Sequence, residues 1–121
     1  MRTQTELAQD YITLWNETDA ARRKALMART WIAGATYMDP LMKGTGHAEI
    51  DDLIAAVQRR FPEFQFSLIG TPDGYGDVAR FSWALGPKGS EAVVKGSDIV
   101  RRDGDSIATV RGFLDLVPSA A

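Results

Sequence analysis

The chain has 121 residues, of which 45% are hydrophobic and 25% charged, and its formal net charge at pH 7 is -2. These values are typical of one soluble globular domain, which we expect to span residues 1–121, without a segment for crossing a bilayer. The acidic and basic residues are interspersed and form no basic patch for nucleic acid, so neither a nucleic-acid nor a membrane partner is expected. The polar N-terminus lacks the apolar stretch of a secretory signal, which favours a cytoplasmic location.

The sequence has no cysteine and a single histidine. Disulfides and thiolate chemistry are therefore excluded, and a zinc site is not expected because such sites draw several ligands from His and Cys. Any acid-base chemistry must use carboxylates, tyrosines or His47.

Helical periodicity is clear in the N-terminal part of the chain. A first helix is predicted over residues 4 to 16, with an apolar stripe that directs Tyr11 inward. Asp19 can cap a second helix over about residues 20 to 32. A short strand is predicted around residues 35 to 38.

Pro40 disfavours helix at the preceding residue, so Asp39 should close this strand in an extended conformation. Residues 41 to 46 are predicted to form a loop. A third helix should begin near Gly46 or His47. Its stripe is the clearest helical pattern in the chain and consists of Ile50, Leu53, Ile54, Val57 and Phe61.

After Pro62 the apolar pattern changes to the alternation of strands, and turn-forming clusters at residues 70–76, 86–89 and 103–104 separate four predicted strands. Side chains that alternate along a strand share one face. Asp98 is the acidic residue on an otherwise apolar face. The predicted inner faces are Ala79, Phe81, Trp83 and Leu85; Ala92, Val94, Gly96, Asp98 and Val100; and Ala108, Val110, Gly112, Leu114 and Leu116.

Helices followed by an antiparallel meander predict an α+β fold, with the first and third helices covering the apolar face of the sheet. Gly96 and Gly112 on that face favour strong curvature, and hence a cavity. Burial should raise the pKa of Asp98 and make it a proton donor, which together with the Tyr11 hydroxyl could stabilise a developing oxyanion. Asp39, at the end of a strand beside a loop, suits a general base.

Three segments resemble the steroid delta-isomerases of the nuclear transport factor 2-like (NTF2-like) superfamily, which also contains the SnoaL-like polyketide cyclases. The resemblance covers most of the chain. The Tyr11, Asp39 and Asp98 positions are its most specific part. The segments are Tyr11-Ile12-Thr13-Leu14-Trp15-Asn16-Glu17-Thr18-Asp19; Asp39-Pro40 with Gly46-His47-Ala48-Glu49-Ile50; and Val93-Val94-Lys95-Gly96-Ser97-Asp98.

The resemblance implies a cone-shaped α+β fold, in which about three N-terminal helices pack on a curved, mostly antiparallel sheet around one pocket. It implies an isomerase or cyclase for an apolar carbonyl compound, with Asp39 as general base and with Tyr11 and Asp98 as oxyanion donors. It also implies neither metal nor organic cofactor, and a homodimer, which we place on the outer sheet face. The further predicted substrate-binding residues are Trp15, His47, Phe81, Trp83, Val110 and Leu114.

The sequence departs from the family at three points. The loop between Pro40 and Gly46 is short. His47 and Trp83 are bulky for a pocket that holds a flat steroid, so a steroid is one candidate substrate among others. No residue clearly takes the place of the supporting tyrosines of that family.

Two other functions fit the same pattern. The fold could serve as a non-catalytic small-ligand-binding or dimerisation module, with Tyr11 as a core aromatic and Asp39 as a turn residue. It could instead resemble limonene epoxide hydrolases, in which an arginine bridges two aspartates. Strand alternation points Arg80 away from Phe81 and Trp83, which ranks this alternative lower.

Overall fold

The computed structural model describes residues 2–118, which form three helices and six strands. The helices are α1 (Gln4–Asn16), α2 (Ala20–Thr30) and α3 (Gly46–Arg60). The strands are β1 (Trp31–Met38), β2 (Lys43–Thr45), β3 (Phe64–Tyr75), β4 (Val78–Pro87), β5 (Val94–Asp103) and β6 (Ser106–Leu116). None of these helices combines the length and the hydropathy that a membrane crossing requires.

The first two helices begin at residues whose side chains satisfy free backbone groups. Thr3 and Glu6 form a capping box, in which Thr3 Oγ1 accepts from the Glu6 amide at 3.1 Å and Glu6 Oε1 accepts from the Thr3 amide at 3.0 Å. Asp19 Oδ1 accepts from the Arg22 amide at 2.9 Å and caps α2, as predicted. These caps fix where α1 and α2 enter the fold.

The second helix ends earlier than the sequence pattern predicted. It stops at Thr30, and strand β1 begins at once with Trp31, which pairs with Ile107 of β6. The predicted helix to about residue 32 and the strand from residue 35 were therefore wrong at this boundary. Trp31 is 2% exposed, and its pairing with β6 makes it the first residue of a strand and not a residue of the helix.

The six strands form one sheet in the order β2-β1-β6-β5-β4-β3. Every neighbouring pair is antiparallel except β1 and β6, which are parallel. The predicted α+β class, with three helices on a curved and mostly antiparallel sheet, is confirmed.

Two segments predicted as connections belong to strands. Residues 43–45 of the expected loop form β2, because they pair with residues 36–38 of β1. Gly70, at φ +67, lies inside β3, where the pairing register shifts between Ile69 and Asp73. Backbone pairing to a neighbouring strand decided both cases, and this pairing is not visible in local turn composition.

Helices α1 and α3 cover the inner face of the sheet with fully buried aliphatic side chains, each contributing about 1.5 to 3 kcal/mol by burial. The helices are tied together by Arg23 of α2, which is 5% exposed. Its Nε donates to Asp51 Oδ1 of α3 at 2.5 Å, and its Nη1 donates to the carbonyl of Glu17 at the end of α1 at 3.0 Å. The buried aliphatic residues include Leu7, Leu14, Ile50, Ile54, Val100 and Val110.

Candidate active site

A cavity of about 450 Å³ lies between α1, α3 and the inner face of the sheet. This volume lies within the range of small-molecule sites, and most of the lining is aromatic or aliphatic. Burial distinguishes its two ends, because Tyr11 is 2% exposed whereas Leu41 is 78% exposed. The lining residues are Tyr11, Trp15, Tyr37, Asp39, Leu41, Met42, Ala56, Val57, Arg60, Phe61, Phe66, Trp83, Leu85, Val94, Leu114, Val117 and Pro118.

Tyr11 lines the cavity at its buried end and contacts Asp98, which is itself buried and is not among the lining residues. Tyr11 Oη donates to Asp98 Oδ2 at 2.6 Å, a short distance for an O–H···O bond. The tyrosine comes from the buried stripe of α1, and the carboxyl comes from the inner face of β5, where Asp98 is 1% exposed. The fold thus brings together two of the three residues that the sequence singled out.

The second oxygen of Asp98 has no protein partner. Oδ1 is buried, and no hydrogen-bond donor among residues 2–118 reaches it. Gly112, the register partner of Asp98 on β6, leaves the space for this oxygen: a Cβ there would lie 2.8 Å from Oδ1 and 3.2 Å from Asp39 Cβ. Since an unpaired buried acceptor costs about 1 to 3 kcal/mol, Oδ1 is suited to hold a proton or to meet a ligand.

The environment shifts the pKa of both members of the pair. Burial raises the pKa of Asp98 to about 6, with smaller raising effects from the charges of Asp39 and Asp115. The Tyr11 hydrogen bond lowers it, as does the Trp83 indole, although no hydrogen bond of ordinary geometry joins the indole to the carboxyl. Burial, followed by the charge of Asp98, raises the pKa of Tyr11 well above its usual value, so Tyr11 remains a donor.

Asp39 lines the same cavity and has a fixed orientation. Its Oδ1 accepts from the Leu41 and Met42 amides at 2.8 Å and 2.9 Å, which is an Asx-type turn around Pro40. Its Oδ2 accepts from Tyr37 Oη at 2.7 Å. The carboxylate is thus both a turn residue and a cavity residue, and its three donors hold it in one direction.

Tyr37 is a site residue that the sequence analysis missed. It lies on the inner face of β1 and is 4% exposed, and burial, followed by the charges of Asp98 and Asp39, raises its pKa. The usable signal was strand alternation, which places Ala35, Tyr37 and Asp39 on one face. The short predicted strand from residue 35 contained this pattern, but the hydroxyl-to-carboxylate contact required the fold.

The predicted substrate-binding residues other than His47 divide into two groups. Trp15, Trp83 and Leu114 line the cavity, as expected for pocket residues. Phe81 and Val110 are buried but do not line it. The Phe81 ring packs edge-on against the Tyr11 ring, with 5.0 Å between the ring centroids, so Phe81 supports the position of Tyr11.

His47 is placed away from the cavity lining, at the start of α3. Its Nε2 lies 3.0 Å from the Trp31 carbonyl oxygen and 2.9 Å from that of Ile32. These contacts join the start of α3 to β1. The side chain therefore has a structural position and does not line the cavity, although it was predicted as a substrate-binding residue.

The lining also contains residues of α3 and the sheet that were not predicted as site residues. Val57 and Phe61 were recognised as part of an apolar stripe, but a stripe does not show which of its members face a cavity. Arg60 lies beside them on the cavity wall. Nothing in the local sequence indicated this position for a charged side chain.

Two other kinds of site are not found in residues 2–118. Arg80 pairs with Asp73, its partner across β3 and β4, at 2.9 Å, and both side chains are exposed. No arginine within that range contacts Asp39 or Asp98, so the arginine bridge of an epoxide hydrolase-like site is not present there. The same residues also contain no group of three or more metal-binding side chains.

Solved structures share this fold. A candidate isomerase of the SnoaL-like family from Agrobacterium tumefaciens is 41% identical over 93% of this chain and 97% of its own, with a TM-score of 0.88. A protein from Catenulispora acidiphila with a ketosteroid isomerase-like fold, in complex with trimethylamine, is 20% identical over 91% and 85% of the two chains, with a TM-score of 0.73.

A third structure, a candidate SnoaL-like polyketide cyclase from Jannaschia, is 14% identical over 95% and 90% of the two chains, with a TM-score of 0.69. Among curated proteins, none matches this chain. Residues 8–110 match the SnoaL-like domain family. The match includes at least part of each of the three helices and six strands. The chain therefore belongs to the SnoaL-like domain family, within the NTF2-like fold that its sequence resembles.

Proposed function

We propose that the cavity catalyses proton transfer on an apolar, carbonyl-containing small molecule, as an isomerase or a cyclase. One observation carries this proposal: Asp39 and Tyr11 line a single apolar cavity, and Tyr11 is hydrogen-bonded to a buried carboxyl of raised pKa, Asp98. A carboxylate and an acidic donor pair in one cavity supply the two functions that enolisation requires.

In the proposed reaction, Asp39 removes a proton from the carbon next to the substrate carbonyl. The C–H electron pair forms a carbon–carbon double bond, and the carbonyl electron pair moves to the oxygen. The Tyr11 hydroxyl turns its one proton from Asp98 Oδ2 to the developing oxyanion, and protonated Asp98 donates a second hydrogen bond to it. In an isomerase, Asp39 returns the proton to a different carbon; in a cyclase, the enolate carbon attacks a second carbonyl of the same molecule.

The walls of the cavity support this assignment. Trp15, Phe66 and Trp83 form an aromatic lining, and few polar groups face the space. In such a low-dielectric site, hydrogen bonds to a developing charge are stronger than in water. The burial of Asp98, which is 1% exposed, favours its protonated form in the same way.

The names of two similar structures agree with this reaction class. The Agrobacterium protein is described as a candidate isomerase, and the Jannaschia protein as a candidate polyketide cyclase. Both chemistries proceed through an enolate. The substrate of this chain is not defined by those names.

Exchange of ligand protons for deuterium tests the proposal and does not require an identified substrate. A panel of apolar ketones and enones is incubated with the protein in deuterated water, and exchange next to the carbonyl is followed by NMR. We expect exchange with the wild type and a loss of about 10²- to 10⁴-fold in Asp39→Asn, with ligand binding retained. Asp52→Asn is the matched control, since Asp52 is exposed and does not line the cavity. Unchanged exchange in Asp39→Asn contradicts the assignment.

A non-catalytic ligand-binding protein is the second candidate, and one observation favours it. Both oxygens of Asp39 already accept hydrogen bonds, from two turn amides and from Tyr37, so a purely structural role would satisfy this carboxylate. In that case, the ketones would bind to the wild type but would show no exchange above the rate in buffer.

We also infer a homodimer through the outer face of the sheet. A cross-strand row on that face runs from Ile69 through Ser82 and Ser97 to Phe113. The two apolar ends are 41% and 58% exposed, and the centre carries small hydroxyl side chains that permit close approach. Sedimentation should show a dimer for the wild type and a monomer for Phe113→Glu; a monomeric wild type contradicts the inference. A cytoplasmic location and a single domain over residues 1–121 remain predictions.

A further inference from the structure

We propose that the ligand of this cavity carries a carboxylate that binds Arg60 at the cavity mouth, while its carbonyl oxygen lies at Tyr11 and Asp98. This inference rests on the proposed function, because it concerns the same cavity. It specifies the substrate class as an apolar oxo acid, with its two oxygen-bearing groups at opposite ends of the molecule.

The position of Arg60 follows from burial along the cavity wall. Tyr11 is 2% exposed and marks the inner end, where it is hydrogen-bonded to Asp98, which is 1% exposed. Leu41 and Val117 are 78% and 53% exposed and mark the opening. Arg60, at the end of α3, is exposed and lines the same cavity, so its guanidinium belongs to the opening.

The guanidinium of Arg60 is positioned but has no charged partner. Its central carbon lies 5.6 Å from the centroid of the Phe61 ring, which also lines the cavity, and a cation above an aromatic face is held there without losing its charge. In residues 2–118, no carboxylate lies within ion-pair distance of Arg60, whereas Arg23, Arg80 and Arg102 each have one. Its donors are therefore available for a carboxylate, which the planar guanidinium binds with two parallel bonds.

The charges of the cavity give such a ligand a single orientation. Arg60 is the basic side chain among the lining residues described by the structure, and it stands at the mouth. Asp98 is buried beside Tyr11, and part-buried Asp39 lines the cavity wall, so a ligand carboxylate inside would meet like charge and lose its hydration. An anionic group is thus favoured at the mouth and disfavoured inside, which sends the uncharged carbonyl end to Tyr11.

A structural role for Arg60 has to be separated from this one. A cation in the last turn of a helix interacts favourably with the helix dipole, typically by about 0.3 to 1 kcal/mol. Arg59 occupies the same last turn and is exposed, but it does not line the cavity. Arg59→Gln is therefore the matched control, since it removes the same charge from the same helix end.

Binding of 9-oxodecanoate and of its methyl ester tests the proposal by calorimetry. The two compounds share the carbonyl and the apolar chain but differ in charge. We expect the acid to bind the wild type at least about tenfold more tightly than the ester, in line with hydrogen bonds to charged groups. Arg60→Gln should remove this preference by weakening the acid alone, and Arg59→Gln should retain it. Equal affinity of acid and ester, equal losses in both variants, or no binding of either compound overturns the proposal.

The two proposals fail in different ways. Binding does not require proton abstraction, so Asp39→Asn should keep the preference for the acid. Selective binding of the acid without proton exchange would contradict the proposed function and leave the Arg60 site standing. Proton exchange on neutral ketones with no preference for the acid would support the proposed function and contradict the Arg60 site.

Discussion

Tyr11 Oη donates a 2.6 Å hydrogen bond to Asp98 Oδ2, joining α1 to β5 across 87 residues of sequence. Both side chains are almost fully buried, and the second carboxyl oxygen has no partner within the described residues. The contact is therefore part of the core and also leaves one oxygen for a proton or a ligand. Changes at this contact and around it should alter both the stability and the activity of the protein.

The stability of the protein should depend on the ionisation of Asp98. Its pKa in the fold is about 6, above its ordinary value of 3.8, so folding favours the protonated carboxyl. The contribution of this carboxyl is fully present below about pH 4 and is lost as the pH rises through about 6. A shift of about two pKa units corresponds to on the order of 3 kcal/mol of unfolding free energy.

Urea denaturation of the wild type and Asp98→Asn at several pH values measures this effect. The variant does not titrate at this position, so the difference between the two curves isolates Asp98 from the other carboxyls. We expect the wild type to lose stability relative to the variant as the pH increases from about 4 to about 7.5. A difference that is independent of pH shows that the carboxyl titrates alike in the folded and unfolded chain.

Replacing Tyr11 by phenylalanine should raise the pKa of Asp98. The Tyr11 hydroxyl stabilises the ionised carboxyl by donating to it, and its removal leaves both carboxyl oxygens unpaired. At neutral pH the variant should lose about 1 to 3 kcal/mol of stability. Carboxyl carbon NMR gives the pKa directly, and Tyr75→Phe, at a side chain that is 81% exposed, serves as the control. An unchanged pKa in Tyr11→Phe excludes the hydrogen bond.

Tyr37 should act as a positioning residue for Asp39. Tyr37→Phe removes the 2.7 Å hydrogen bond to Oδ2 and leaves the two turn amides on Oδ1. The carboxylate then keeps its place but loses one of the groups that fix its direction. We expect kcat to fall by about tenfold, equivalent to about 1.4 kcal/mol, with KM nearly unchanged, as measured on a ketone identified by proton exchange. A higher KM at constant kcat points instead to a direct contact with the ligand.

Gly112→Ala should damage the site through steric contact. The new Cβ would lie 2.8 Å from Asp98 Oδ1 and 3.2 Å from Asp39 Cβ, so one of these side chains must move. Thermal or urea unfolding should show a loss of about 1 to 3 kcal/mol, together with reduced proton exchange. Gly34→Ala is the matched control on the same sheet, because a Cβ there meets nothing within 4 Å. Equal stability of the two variants shows that the sheet relaxes around the added methyl group.

The sequence by itself determined the three helices, the main strands after Pro62 and the direction of the main site residues. The helical stripe pointed Tyr11 inward, strand alternation placed Asp98 on an apolar face, and Pro40 indicated that a strand ends next to Asp39. Each of these statements depends on the local backbone, whose geometry sets side-chain direction at a fixed period. They are therefore available from neighbouring residues alone.

The tertiary structure decided which of these groups meet. The Tyr11–Asp98 and Tyr37–Asp39 contacts join residues on different elements or around a turn. The place of Arg60 in the cavity lining likewise depends on how α3 packs on the sheet. The pairing of β2 with β1 and the placement of His47 against the β1 backbone are also contacts between separate elements. Such contacts are set by strand register and helix placement, which arise from packing of the whole chain and not from any local pattern.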